Sequence, residues 1–239
     1  MGWEKYLWDI DEREDRSERE AAYINGVIRW MEAKFDENYR RILDVPCGNG
    51  RLHPFLKKFG YEVDGIDISE ELVEEARKNG NNCWVGDMSN PEAYPEKKYD
   101  VILNWFTSIG YRNGRDDEKT MKIWWDHLRE GGIVIVDAVP PSVFIMDHIV
   151  TYDSRVKIFQ EKGDEKHRHI HIRMFRDLGN RMELLAEHRV DLRLYSPEEM
   201  EEMLEKAGFE PVVRLKGMTF RNWDGNRTHI LYLARKKGD

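Results

Sequence analysis

The 239-residue sequence predicts an α/β domain built on a doubly wound, mostly parallel sheet of seven strands, with a small antiparallel β insertion. Two observations predict this fold class. Short apolar runs alternate with helical patterns from residue 41 to residue 136, which is typical of βαβ units. Strand-like alternation with glycine turns then replaces this order between residues 155 and 194. Hydrophobic residues make up 40% of the chain and charged residues 35%, which supports a folded domain with a sizeable core.

Strand and helix signals alternate through the first half of the chain. An amphipathic helix is predicted over 18–34, where apolar residues recur at steps of three and four. Apolar runs predict strands at 41–45, 61–66, 83–85, 99–105 and 133–136, with helices over 52–59, 69–78 and 116–129. Ser69 is placed as the N-cap of its helix, and Gly80 ends that helix. We assign 1–35 to an N-terminal helix and lid, and 36–140 to one half of a single domain.

The second half of the chain departs from this order. Two or three antiparallel strands are predicted between 155 and 194, with turns at 162–164 and 179–180, and we assign 141–194 to the insertion. A helix then starts at the N-cap Ser196, with Pro197 at its first position and Glu199 completing a capping box, and Gly208 ends it. Strands at 212–215 and 229–234 complete the segment 195–239.

Composition and charge exclude several classes of protein. The chain has 46 acidic and 38 basic residues and a net charge of −8, which disfavours a basic nucleic-acid binder. No apolar run approaches the roughly 20 residues of a membrane span, and no secretory signal is visible, so we expect a cytoplasmic protein. Because there are only two cysteines, Cys47 and Cys83, no disulfide scaffold and no metal site are predicted. Abundant Glu, Lys and Arg with a single glutamine, Gln160, favour a thermophilic source.

The segment most informative about chemistry is 42–51, Ile-Leu-Asp-Val-Pro-Cys-Gly-Asn-Gly-Arg. A predicted strand enters a turn with glycines at 48 and 50, which let the backbone approach a ligand closely. Asp67 ends the next strand, so it is expected to face the same crevice and to hold a ribose diol. A dinucleotide fingerprint is incomplete, because His53 stands where its third glycine would be. Asp44 would repel a pyrophosphate, and it favours a ligand with an ammonium or sulfonium group.

At these residues the sequence resembles the class I S-adenosylmethionine-dependent methyltransferases, over roughly residues 36–140 and more loosely over 194–239. The turn at 44–50 is similar to that family's first motif, with Pro46 where many members carry glycine. Asp67 matches the family's ribose-binding acid, and Asp87 matches its adenine-binding acid. The resemblance implies a Rossmann-like methyltransferase fold, S-adenosylmethionine as cofactor and S-adenosylhomocysteine as product. It also implies cofactor contacts from Tyr6, Asp44, Pro46, Cys47, Gly48, Asn49, Gly50, Asp67, Ile68, Asp87, Met88, Asn104, Trp105 and Phe106.

The resemblance also implies where methyl transfer takes place. The segment 104–111 is similar to the part of the family that lines the transfer site, so Tyr111 is a candidate catalytic residue. His148 is a second candidate, in a region expected to cross the substrate opening. The insertion resembles that of amine- and sugar-directed N-methyltransferases, which favours a small-molecule nitrogen or oxygen nucleophile. Trp3, Tyr6 and Trp8 are interpreted as a lid over the cofactor.

Several alternatives stay open. The insertion carries ten basic and seven acidic residues between 155 and 193, which leaves an RNA substrate such as transfer RNA possible but not favoured. A non-catalytic, cofactor-binding partner subunit is a second alternative. His167, His169 and His171 alternate on one predicted strand face, which suits either a metal ion or a solvated surface. The sequence leaves the methyl acceptor and the oligomeric state undetermined.

Overall fold

A computed structural model describes residues 14–141, 147–152, 154–219, 221–222 and 229–238. The strands in these ranges are β1 (Arg41–Asp44), β2 (Glu62–Asp67), β3 (Asn82–Val85), β4 (Tyr99–Asn104), β5 (Leu128–Ala138), β6 (His148–Tyr152), β7 (Arg155–Gly163), β8 (His167–Asp177), β9 (Met182–Arg193), β10 (Phe209–Lys216) and β11 (Ile230–Lys236). Seven of them form one sheet in the order β10-β11-β5-β4-β1-β2-β3. Its strands β1 to β5 are parallel, and β11 runs antiparallel to β5 and to β10. The predicted α/β class with a mostly parallel seven-stranded sheet is confirmed.

Helices cover both faces of this sheet. They are α1 (Glu14–Phe35), α2 (His53–Lys58), α3 (Glu70–Lys78), α4 (Asp117–His127) and α5 (Pro197–Ala207). Side chains alternate along a strand, so neighbouring residues of β1 pack on opposite faces. Ile42 lies in a buried cluster with α1 and α2, whereas Leu43 lies in a cluster with α4 and α5. This alternation is what makes the sheet doubly wound. None of the helices in the described ranges has the length and apolar composition that crossing a bilayer requires.

The predicted N-caps Ser69 and Ser196 and the predicted helix end at Gly208 are confirmed by their capping contacts. The Ser69 hydroxyl accepts a hydrogen bond from the Leu72 N–H at the start of α3. Ser196 and Glu199 form the reciprocal capping box of α5, and Gly208 ends that helix in the left-handed conformation with φ 104°.

The fifth strand differs from the prediction. β5 begins at Leu128 rather than at Ile133, because Leu128 already pairs with Tyr99 across an irregularity in the ladder between Tyr99 and Val101. The helix α4 ends at His127 for the same reason.

The antiparallel insertion is a separate sheet of four strands in the order β6-β7-β8-β9. The prediction of two or three strands between 155 and 194 is confirmed by β7, β8 and β9, and the insertion has one more strand before residue 155. The additional strand is β6, which pairs with β7 from His148 opposite Phe159 to Tyr152 opposite Arg155. The sequence between these strands contains no glycine turn signal, which is why the hairpin was missed.

The insertion is attached to the main sheet through the segment that follows β4. The Arg193 N–H at the end of β9 donates to the Gly110 carbonyl at 2.7 Å, and Tyr111 forms an antiparallel bridge with Leu192. The insertion is therefore anchored next to the carboxyl end of β4.

Candidate active site

A crevice opens where the strand order of the sheet reverses. From β1 the chain continues to β2 on one side, and it later returns to β4 on the other side of β1. In doubly wound sheets, ligands bind at this point, outside the carboxyl ends of the strands. The crevice is lined by Asp44, Pro46, Cys47, Gly48, Asn49, Arg51, Leu52, Trp105 and Phe106. The structure thus brings most of the residues predicted at the first motif together with Trp105 and Phe106.

The glycine turn after β1 is held by Asp67 at the end of β2. Gly48 and Gly50 have φ of 55° and 71°, a region in which a side chain is strained. One oxygen of the buried Asp67 carboxylate accepts from the Gly48 N–H at 2.8 Å, and the other accepts from the Ser69 N–H at 2.9 Å. Asp67 therefore fixes the turn, and its predicted neighbour Ile68 is 63% exposed beside it.

Asp44 ends β1 and contacts a histidine that the sequence analysis did not place in the site. The Asp44 Oδ2 atom lies 3.1 Å from the Nε2 atom of His53, the first residue of α2. Both side chains are buried. Burial lowers the pKa of His53, but hydrogen bonds to Asp44 and Cys83 outweigh it and raise that pKa to about 9. The charge of Asp44 is therefore partly balanced inside the protein.

The segment after β4 forms the opposite wall of the crevice. The Asn104 Nδ2 group donates to the Val45 carbonyl at 2.7 Å, while the buried Asn104 Oδ1 atom has no hydrogen-bond partner among the described residues. Phe106 and Thr107 have φ of 69° and 58°, which is uncommon for residues other than glycine. Backbone strain of this kind is concentrated at functional sites. The Phe106 N–H donates to Asp137 Oδ2 at 3.1 Å, which links this wall to the end of β5.

The N-terminal helix α1 reaches the crevice through one buried carboxylate. Glu20 accepts from the Trp105 Nε1–H at 3.0 Å and pairs with Arg51 at 2.5 Å and with Arg16 at 2.8 Å. Burial raises the pKa of Glu20, but the charge of Arg51 and the hydrogen bonds from Arg16, Arg51 and Trp105 leave that pKa below its usual value. Both arginines also lie over the Phe106 ring. The guanidinium carbon is 5.1 Å from the ring centroid for Arg16 and 5.8 Å for Arg51.

Asp87 and Met88 follow β3 at the same edge of the sheet. Asp87 accepts from the Ser89 N–H and hydroxyl, and it pairs with Arg112 at 3.0 Å. Burial raises the pKa of Asp87, but these hydrogen bonds and the Arg112 charge bring it below its usual value. The Met88 carbonyl accepts from the Tyr94 hydroxyl at 2.7 Å, and the Met88 side chain packs on the core. Asp87 is thus held as a carboxylate.

Tyr111, one of the two predicted catalytic residues, lies between the crevice and the insertion. Its side chain is partly accessible, with 41% exposure. Removal from water and the charge of Asp67 raise the pKa of its phenol. The phenol is therefore neutral near pH 7, where it can donate a hydrogen bond but cannot act as an anionic base.

The other predicted residues of the lid and the opening fall outside the described part. Tyr6, with Trp3 and Trp8, precedes residue 14, where the described residues begin. His148 begins β6 in the backbone, but its side chain lies outside the described atoms. Their roles stay predictions.

Comparison with known proteins identifies the family. A family model described as "Methyltransferase domain" matches residues 16–214. The chain belongs to this methyltransferase family. The match includes the lining of the crevice, the insertion and nearly all of α1.

Individual relatives agree with this assignment. The methyltransferase is 27% identical over 199 residues to the putative methyltransferase YqeM of Bacillus subtilis, covering 76% of this chain and 78% of the relative. It is 31% identical over 100 residues to a dTDP-3-amino-3,4,6-trideoxy-alpha-D-glucopyranose N,N-dimethyltransferase of Streptomyces venezuelae, covering 40% and 41% of the two chains. The crystal structure of an S-adenosylmethionine-dependent methyltransferase from Clostridium acetobutylicum has the same fold, with a TM-score of 0.80, 20% identity and 98% coverage of both chains. S-Adenosylmethionine is the cofactor of this enzyme.

The atoms that line the crevice suit this cofactor. S-Adenosylmethionine carries an ammonium and a sulfonium, and the Asp44 carboxylate lines the crevice. The buried Asn104 side chain, whose Oδ1 atom is without a partner among the described residues, is bonded to the Val45 carbonyl next to Asp44. A buried acceptor without a partner costs about 1–3 kcal/mol, which a ligand N–H would recover. An added Cβ at Gly50 would lie 2.7 Å from the Asn81 side chain, so the turn that approaches the ligand has no space for a side chain there.

A histidine–aspartate pair, missed by the sequence analysis, lies beside the methyltransferase crevice. The His229 Nδ1 atom is 3.2 Å from Asp137 Oδ1, and the same carboxylate accepts from the Phe106 N–H. Its hydrogen bond to Asp137 raises the pKa of His229, against the opposing effect of burial. The pair forms because β11 runs antiparallel to β5, with Leu231 opposite Asp137. Sequence reasoning named both residues only as parts of segments, since they are 92 positions apart.

The histidines of the predicted cluster on β8, His167, His169 and His171, are each paired with a separate acid. His169 Nδ1 lies 2.6 Å from Asp191, His171 Nε2 lies 2.7 Å from Glu187, and His167 Nδ1 lies 3.5 Å from Asp164. The three rings therefore face three different carboxylates on an accessible sheet. The geometry favours the surface interpretation of this cluster over a shared metal ion.

Proposed function

We propose that this methyltransferase transfers a methyl group to a nitrogen or oxygen nucleophile of a small molecule, with an amino sugar as the favoured substrate class. The Streptomyces venezuelae relative is named for N,N-dimethylation of an amino sugar nucleotide, which supports this class. The insertion, anchored at Gly110 and Tyr111, suits a cover over a small acceptor. The observation that carries the proposal is the His229–Asp137 pair, because it supplies a base beside the segment lining the crevice.

Residues at the carboxyl ends of the strands would hold the cofactor. We assign Asp44 and Asn104 Oδ1 to the methionyl end, Asp67 to the ribose hydroxyls and Asp87 to the adenine side. When bound, S-adenosylmethionine supplies a methyl group on a positively charged sulfur, which is already highly electrophilic. The protein therefore has to align the acceptor and exclude water, rather than stabilise a developing anion. The rings of Trp105 and Phe106 suit the exclusion of water from this crevice.

His229 would prepare the acceptor by removing its proton. An aliphatic amine is largely an ammonium ion at neutral pH, and its lone pair is available only after the N–H proton has left. We assign this proton to the Nε2 atom of His229, since the Nδ1 atom faces Asp137. The Asp137 carboxylate orients the ring and stabilises the imidazolium. The His229 side chain is 46% exposed, so the proton can then pass to water. The neutral Tyr111 phenol is available as a hydrogen-bond donor to the acceptor.

The substrate class is tested by following labelled methyl groups from S-adenosylmethionine into separate pools. The purified enzyme is incubated with a panel of nucleotide-linked amino sugars, with the matching sugars that carry a hydroxyl in place of the amine, and with total RNA. We expect label in the amino sugars. Label that enters the RNA alone would contradict the proposed class, and label in no pool would support a non-catalytic subunit.

The role of His229 is tested by the pH dependence of turnover. Because its pKa is raised above 6.5, the neutral base accumulates only above that pH, so kcat should rise with pH through an inflection above 6.5. Asp137→Asn removes the carboxylate that raises the pKa, so the inflection should move to lower pH while the plateau falls.

His229→Gln should abolish the inflection and lower the plateau by about 10²–10⁴-fold. A matched control is His169→Gln, which breaks an exposed histidine–aspartate pair on the insertion. If His229→Gln and His169→Gln have the same profile as the unchanged enzyme, His229 is not the base.

A further inference from the structure

Three side chains of metal-ligand type meet in a buried position beneath the glycine turn. They are Cys47 in the turn, His53 at the start of α2 and Cys83 in β3. One ligand atom from each lies within 4.8 Å of the others, and all three residues are buried. The sequence analysis predicted no metal site because it counted only two thiols, and His53 supplies the third ligand atom.

The main sheet provides space for the two sulfur atoms at Gly65. This residue lies in β2, paired with Asp44 of β1 on one side and with Cys83 of β3 on the other. An added Cβ at Gly65 would lie 2.6 Å from the Cys47 sulfur and 2.9 Å from the Cys83 sulfur. Only glycine therefore allows both thiols to occupy the same face of β2.

The imidazole of His53 is oriented as a metal-ligating histidine is. Its Nε2 atom lies 3.1 Å from the Asp44 carboxylate, so the proton of a neutral ring is held there. The Nδ1 lone pair then points to the thiols, and this atom is 3.9 Å from the Cys83 sulfur. A carboxylate on the far nitrogen is the usual partner of a ligating imidazole. Tetrahedral zinc separates its sulfur and nitrogen ligands by about 3.6–3.8 Å, so a small contraction would bring the three side chains to the spacing of three of the four ligand positions.

We propose that Cys47, His53 and Cys83 form a binding site for a thiophilic metal ion, with Zn²⁺ as the ion best matched to two thiolates and one imidazole. Binding releases the two thiol protons, together with the Nδ1 proton of a His53 ring that is an imidazolium. Two thiolates, a neutral imidazole and one divalent ion then form a neutral group. The ion would link the turn after β1 to β3 and to α2, and so hold the glycine turn in the shape that the crevice requires. The proposal does not depend on the identity of the methyl acceptor.

The test uses the full-length, reduced enzyme after treatment with a chelator, without cofactor. Titration with Co²⁺ should produce thiolate-to-cobalt charge-transfer absorption that saturates at one ion per chain, and Zn²⁺ should displace it. Zn²⁺ should also raise the melting temperature. Asp44→Asn, which removes the carboxylate partner of the ligating ring, should weaken binding by about 10–100-fold.

Variants of the ligands and of a distant histidine identify the site. Cys83→Ser and His53→Gln should remove the charge-transfer signal, with circular dichroism confirming that each variant is folded. His169→Gln should leave the signal unchanged, because His169 pairs with Asp191 on the insertion. Absence of the signal in the reduced wild-type enzyme would overturn the proposal even if a variant failed to fold. So would a signal that persists in Cys83→Ser, or that is lost only in His169→Gln.

Discussion

Replacement of Glu20 by alanine tests how α1 is held against the crevice. The Glu20 side chain is 3% exposed, and it joins Trp105 and Arg51 of the crevice to Arg16 of its own helix. Each partner loses a different interaction in the variant. Arg51, whose side chain is 11% exposed, would keep a nearly buried charge, and the Trp105 Nε1–H would lose its acceptor. Arg16 is one-third exposed and can be solvated instead.

The magnitude follows from these exposures. Removing one partner of a buried ion pair costs about 3–5 kcal/mol, because the other charge is left without compensation. The unpaired Trp105 N–H would cost about 1–3 kcal/mol on its own, but relaxation of the site makes the two costs overlap. The Arg16 pair is screened by water and contributes little. We therefore expect Glu20→Ala to reduce the free energy of unfolding by about 3–5 kcal/mol.

Urea denaturation measures the change in the free energy of unfolding. Calorimetric titration measures the affinity for S-adenosylmethionine, which should also fall because Arg51 and Trp105 line the crevice. Glu18→Ala is the matched control, since Glu18 is exposed on the same helix. In Glu20→Ala/Arg51→Ala the loss should be smaller than the sum of the two single losses. If the free energies of unfolding of Glu20→Ala and Glu18→Ala differ by less than about 1 kcal/mol, which is what an exposed ion pair contributes, the reasoning is refuted.

Two further predictions concern Asp117, the first residue of α4, and Gly110, in the segment between β4 and α4. Burial raises the pKa of Asp117 to about 6 despite hydrogen bonds from Tyr195 and Gly110, so the folded state binds a proton that the unfolded state releases between pH 3.8 and 6. The free energy of unfolding should therefore fall by up to about 3 kcal/mol as pH rises through this window. Urea denaturation at several pH values measures this decrease, and Asp117→Asn should remove it. An unchanged pH dependence in the variant would exclude Asp117 as its source. Gly110→Ala places a Cβ 2.1 Å from the Arg193 carbonyl oxygen at φ 99°, whereas Gly179→Ala, at φ 81°, meets nothing within 4 Å. Gly179→Ala should lower the free energy of unfolding by about 1–2 kcal/mol, and Gly110→Ala should lower it clearly more and also reduce turnover. Equal unfolding midpoints for the two variants would show that the contact of Gly110 with β9 is unimportant.

Much of the fold was predictable because its signals involve residues close together in the chain. The Ser69 N-cap, the Ser196 capping box and the Gly208 end are contacts within a few residues, and the structure contains all of them. The spacing of Asp44 and Asp67 at the ends of two successive strands predicted that both would face one crevice. In the structure Asp44 lines the crevice, and Asp67 accepts from the Gly48 N–H of the glycine turn. The hairpin at β6 was missed because its turn carries no such local signal.

The sequence by itself determined the fold class, the family resemblance and the motif residues of the crevice. The tertiary structure alone decided which distant residues meet: His229 with Asp137, Glu20 with Arg51, and His53 with Cys83. The physical reason is that these pairs depend on strand register and on helix packing across the sheet, which are set by the whole core. Residue type and local spacing carry no record of a partner that lies tens of positions away in the chain.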